Sequence, residues 1–120
     1  YKSRKLRKVE RIMSPTHKLR EVLMLLMTNS KADRNSDYAL YADYINRIRP
    51  EVQPNRYYEV MKNHKEYGLY SFKAVERERR HIQSEAKEQG EISLLSDKQV
   101  EQWRKEQEKE YSENYSRRNK

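Results

Sequence analysis

Residues 68–83 read GLYSFKAVERERRHIQ. Gly68 suits the left-handed end of a helix, and Ser71 is placed to cap the next one. That second helix, predicted over 72–89, opens with Phe72 and Val75 on one side. Ile82 and Ala86 continue the same inner face, and Arg79 stands where a fifth apolar group would sit. Lys73, Arg77, Arg80 and Ser84 follow at i, i+4, i+7 and i+11, which makes one outward stripe. A short turn feeding a helix rich in cations is how helix-turn-helix proteins present a reading helix to DNA. Arginine can fork onto a phosphate or onto guanine O6 and N7. Two features count against that reading. Glu76, Glu78 and Glu85 lie between the cations. The helix-turn-helix template also asks for apolar residues six and nine positions after the turn glycine, and these are Ala74 and Arg77. Val75 comes one step late, so the template fits only with an altered turn.

On the N-terminal side, Asn55 is placed to cap a helix over 56–67 carrying Tyr57, Tyr58, Val60 and Met61. Pro50 to Pro54 forms an extended link, because the residue before a proline leaves the α region. A helix over 36–49, capped by Asp33 or Ser36, would bury Tyr41, Tyr44, Ile45 and Ile48, flanked by Tyr38 and Leu40. Tyrosines at steps of three can stack nucleobases, although such a stripe more often forms a core with its hydroxyls at the rim. Ser14-Pro15 starts the most apolar helix, over 15–28, with Leu19, Val22, Leu23 and Leu26 in a stripe widened by three further apolar residues. Asn29 to Ser36 reads as a polar link.

On the C-terminal side, Gly90 ends the 72–89 helix and Ile92, Leu94 and Leu95 form a small hydrophobic plug. Ser96-Asp-Lys-Gln99 is a capping box for a last helix over 97–115. Its apolar stripe of Val100, Trp103, Tyr111 and Tyr115 is thin. Trp103, Tyr111 and Tyr115 are therefore candidate protein contacts.

The 120-residue chain is 34% apolar and 38% charged, with two glycines and three prolines. That composition points to an all-α fold: a helical core over 15–90, a basic arm over 1–14, and a C-terminal amphipathic helix and tail over 91–120. The net charge of +8 is concentrated. Residues 1–20 hold eight Lys/Arg against the single acid Glu10, and the other hundred residues are nearly neutral. Lys2, Arg4, Lys5, Arg7, Lys8 and Arg11 make a phosphate-tracking arm, and with Lys73, Arg77 and Arg80 they are the candidate nucleic-acid contacts. Leu6, Val9 and Ile12 in that arm recur at helical spacing.

There is no cysteine, which excludes disulfides and thiolate metal sites. His17, His64 and His81 have no metal-ligand spacing. Two glycines cannot build a phosphate-cradling loop. Asp33, Asp37 and Asp43 lie near one another in the chain, but no catalytic signature accompanies them. The expectation is a binding protein rather than an enzyme, with no metal and no cofactor.

Two stretches, RNSDYALYADYI (34–45) and YGLYSFKAVERERRHIQSEAKE (67–88), carry an Arg-x-x-Asp segment and a Ser-x-x-x-Val-x-Arg-x-Arg-Arg-x-Ile-Gln segment. In this pattern the chain resembles small proteins common in phages and prophages of Gram-positive bacteria. The resemblance covers about residues 18–90 and implies a phage setting in the cytoplasm of a bacterial host. The first expectation is thus a DNA-binding regulator, DNA being favoured over RNA. The alternatives are an inhibitor or adaptor docking on a host nucleoprotein machine (RNA polymerase or a CRISPR effector), and a homodimer serving assembly. No apolar run reaches the length of a membrane span, so no membrane partner is expected.

Overall fold

The computed structural model describes residues 15–118, with side chains described as far as Glu113. The basic arm, including Lys2, Arg4, Lys5, Arg7, Lys8 and Arg11, lies outside the described residues, as does the Tyr115 side chain. Among the described residues the fold is all-α. Its helices are α1 (Leu19–Asn29), α2 (Lys31–Asn35), α3 (Asp37–Ile48), α4 (Tyr57–Lys62), α5 (Phe72–Gln89) and α6 (Asp97–Arg118). Short 3-10 turns over Pro54–Arg56, His64–Tyr67 and Ile92–Leu94 join them.

Local capping chemistry sets most of the boundaries. The Ser36 hydroxyl accepts the Ala39 amide at 3.2 Å, and the Ser71 hydroxyl accepts the Ala74 amide at 3.1 Å. The box at Ser96 is closed from both sides, by Gln99 Oε1 on the Ser96 amide and by Ser96 Oγ on the Gln99 amide. Gly68 and Gly90 end their helices at φ 66° and 74°, the left-handed conformation that an L side chain strains to adopt.

Three expectations change. α1 begins at Leu19 rather than 15, because His17 is drawn away to Tyr44 and Tyr70. The polar link of 29–36 contains a helix of its own, α2, whose first turn is capped by Ser30 Oγ on the Asp33 amide. The single helix expected over 56–67 is instead α4 followed by a 3-10 turn. The link from Asn63 to Ser71 that joins α4 to α5 is longer than the three to four residues of a compact helix-turn-helix.

Leu23 and Met27 of α1 are fully buried, with Leu40, Tyr41, Tyr44 and Ile45 of α3 and Val75 and Ile82 of α5. Val60 and Leu69 close the core from the α4 side, and Leu94 and Leu95 from the last loop. The predicted stripes are right in the main. Leu40, expected at a flank, and Met27, expected to widen the first stripe, are wholly buried, whereas Ile48 is only partly buried and the flanking Tyr38 is 70% exposed.

The core also has polar fittings. The carbonyl of Arg34, in the last turn of α2, accepts from Arg79 Nη1 at 2.7 Å and from Gln83 Nε2 at 2.9 Å. Arg79 Nε meets Asp37 Oδ1 at 2.7 Å. Gln83 also donates to the Leu94 carbonyl at 3.1 Å, and Arg34 reaches the Ser93 carbonyl. Arg79 thus occupies its inner-face position because a helix C-terminus and a carboxylate meet it there. A helix end buried without donors would leave carbonyls unpaired.

Replacing Arg79 by Ala should cost about 2–4 kcal/mol in denaturant unfolding, because it strands the Asp37 carboxylate and takes one of its two donors from the Arg34 carbonyl. Arg80→Ala should cost no more than about 0.5 kcal/mol, since its pairing with Glu76 is solvent-exposed. Equal losses would contradict the assignment of Arg79 to the interior.

Candidate functional site

α5 carries the cations that the sequence singles out, and the fold sorts its charges by flank. At about 100° per residue, Phe72, Arg79 and Gln83 fall together, and they face α2 and α3. Glu78 and Glu85 fall on the opposite flank, beside α1. There Arg20 engages both, Glu78 at 3.6 Å and Glu85 more closely. Glu76 is held by Arg80 at 2.5 Å, one turn on. Lys87, near the helix end, meets Glu106 of α6 at 3.5 Å.

Lys73, Arg77 and Arg80 remain on the outward side within an arc of about 60°. All three are exposed. Arg80 shares its charge with Glu76, whereas Lys73 and Arg77 have no ion pair among the described residues. The interleaved glutamates that weakened the reading of this helix are thus drawn off, two to a neighbouring helix and one to an exposed arginine.

The root of the basic arm lies beside the start of this helix. Tyr44, deep in the core, accepts the Tyr70 amide at 2.9 Å, and its hydroxyl lies 2.6 Å from His17 Nε2. Each group is used once if Tyr44 donates its proton to a neutral imidazole. Burial lowers the His17 pKa, in keeping with that assignment. The His17 ring also packs edge-on against Tyr70, with centroids 5.4 Å apart. Tyr70 immediately precedes the Ser71 cap, so the chain leaves the core toward the arm next to the N-terminus of α5.

The candidate protein contacts differ from one another. Val100 packs on the core and Trp103 is half-buried, so the first turns of α6 belong to the body. From Arg104 to Glu113 every residue is exposed, Tyr111 among them.

The three tyrosines of 38–44 separate. Tyr41 and Tyr44 are enclosed, and burial pushes both hydroxyls above the ordinary tyrosine range. Tyr41 donates to the Tyr70 carbonyl at 2.7 Å. Neither can meet a base. Tyr38 is open to solvent and packs on Phe72.

The three aspartates also separate. Asp37 joins Arg79, whereas Asp33 is fully buried beside Asp43. Among the described residues no group of three or more His, Cys, Asp or Glu could hold a metal ion. Nor is any helix among them long and apolar enough to cross a membrane. Comparison with protein-family models, with curated proteins and with solved structures finds no match.

Asp33 has a measurable signature. Its carboxyl lies beside that of Asp43, and the Ser30 hydroxyl is the neighbour that favours its ionised form. Burial first, and then Asp43, raise its pKa above the ordinary carboxylate value, so Asp33 keeps a proton that it can donate to Asp43. The folded state then holds more protons than the unfolded one, and this contribution to stability is lost as pH rises. Asp33→Asn supplies a permanent donor to Asp43. Thermal unfolding should show the variant gaining stability over the native chain at about pH 8 and little at about pH 5. The same difference at both values would contradict the shared proton.

Proposed function

We propose that this protein is a nucleic-acid-binding regulator that lays the Lys73–Arg77–Arg80 stripe of α5 on a phosphate backbone and grips the same molecule with its basic arm. The sorting of charge on α5 carries the reading. On a helix interleaved with glutamates, the stripe of Lys73, Arg77 and Arg80 stands clear of Glu78 and Glu85, which Arg20 engages, and Arg80 itself engages Glu76. The arm root beside Tyr70 would let one duplex or strand meet both elements. Arg77, exposed and without an ion pair among the described residues, is the residue best suited to a base edge, and Lys73 suits a phosphate. The phage setting rests on the resemblance of residues 34–45 and 67–88 alone.

A second reading, docking on a host nucleoprotein assembly, is favoured by the open surface of α6 from Arg104 to Glu113. The two readings separate at Tyr111, within that exposed stretch. Tyr111→Ala should abolish docking and leave free nucleic-acid binding intact if α6 is the docking element, and unchanged docking would remove this reading.

Fluorescence anisotropy against random duplex DNA at several salt concentrations tests the first reading. Affinity should fall steeply with salt, and Lys73→Ala should lower the log–log slope by about 1. Deleting residues 1–13 should flatten the slope by several units. Arg77→Ala should weaken binding to a preferred site by about 1–3 kcal/mol and relax the preference. Slopes unchanged by both alterations would remove the stripe and the arm as phosphate contacts.

A further inference from the structure

The surface beside the cationic stripe holds an aromatic ring that the fold does not need. Tyr38 is 70% exposed and makes no hydrogen bond among the described residues. One of its faces lies on Phe72, with centroids 5.1 Å apart and planes inclined by 30°. Phe72 is held from behind by Tyr41, edge-on at 5.6 Å, and Tyr41 is fixed by its bond to the Tyr70 carbonyl. The exposed ring therefore rests on Phe72, which Tyr41 backs in turn.

Going around α5 from Phe72 toward the outside, the next side chains are Glu76, then Arg80, Lys73 and Arg77. Glu76, the one acid on that flank, is engaged by Arg80. Tyr58 offers the contrast, since it is equally exposed but has Lys62 of its own chain over its ring at 4.5 Å. A buttressed ring with one open face and cations alongside matches what an unpaired nucleobase requires, because stacking serves the base and the cations serve its phosphates.

We propose that Tyr38, backed by Phe72, is a stacking platform for an unpaired nucleobase, so that the nucleic acid recognised contains a single-stranded or unstacked position. This inference rests on the nucleic-acid reading and narrows its substrate. Lys73 and Arg80 would hold the phosphates flanking the stacked base. Exposed tyrosines can also anchor protein partners. The adjoining cations favour the base, and the test below separates the two.

The test is anisotropy with the full chain on three probes: a short oligothymidylate, an abasic strand of equal length and charge, and a blunt duplex. The native protein should bind oligothymidylate more tightly than the abasic strand. Tyr38→Leu, at a surface position that leaves the core intact, should lose about tenfold on oligothymidylate and nothing on the abasic strand. Tyr38→Phe should stay within about twofold of the native protein, since stacking needs the ring and not the hydroxyl. A Tyr38→Leu variant that binds oligothymidylate as the native protein does, or that loses equally on both strands, overturns the platform while leaving the nucleic-acid reading in place. Failure of the native protein to bind any probe overturns that reading, and the platform with it.

Discussion

The position of α5 depends on one set of contacts, the meeting of Arg79 and Gln83 with the C-terminal turn of α2. A five-residue helix cannot satisfy all of its own carbonyls, and donors from outside α2 complete its last turn. Arg79 and Gln83, four residues apart on one face of α5, both reach the Arg34 carbonyl. Asp37 opens α3 and compensates the guanidinium that this arrangement draws inward. The α2–α3 corner, α5 and the Ser93–Leu94 turn are thereby joined at one point. Apolar packing of Val75, Ile82 and Ala86 supplies the larger part of the stability and turns that face of α5 inward. The polar contacts fit the same rotation, which turns Lys73, Arg77 and Arg80 outward.

The Arg-x-x-Asp and Arg-x-Arg-Arg-x-Ile-Gln segments consequently have a double character. Arg34, Asp37, Arg79 and Gln83 are fittings of the scaffold, and Ser71, Val75 and Ile82 are cap and core. Only Arg77 and Arg80 of that pattern face solvent as cations. A family of sequences can therefore share this pattern through its architecture alone, and its binding surface is set by the few exposed positions around it.

What the sequence discloses follows the range of the forces involved. Caps at Ser36, Ser71 and Ser96 and the helix ends at Gly68 and Gly90 are decided within four residues, and they are legible. So are the apolar stripes, because period and burial are linked. The helix α2 could have been found, since Ser30-Lys-Ala-Asp33 has the spacing of a capping box. Its shortness and its polar composition conceal it. The interior positions of Arg79 and Gln83 and the burial of Asp33 depend on partners as far as 49 residues away, or on packing between helices. Local propensity assigns such residues to the surface. The sorting of the α5 glutamates is of the same kind, because Arg20 lies 65 residues from Glu85. The outward stripe itself is periodic and legible, and the engagement of Glu78 and Glu85 by Arg20 is a tertiary result.

The central claim is that the outward face of α5 and the arm root form one surface for a polyanion. Backbone amide chemical-shift mapping during titration with a short oligonucleotide tests it most directly. The account predicts the largest shifts at Lys73, Arg77 and Arg80 and at the residues entering α1 near His17, with α6 unmoved beyond Trp103. Shifts confined to α6, or shifts on the Arg20–Glu85 flank of α5 in place of the stripe, would contradict it.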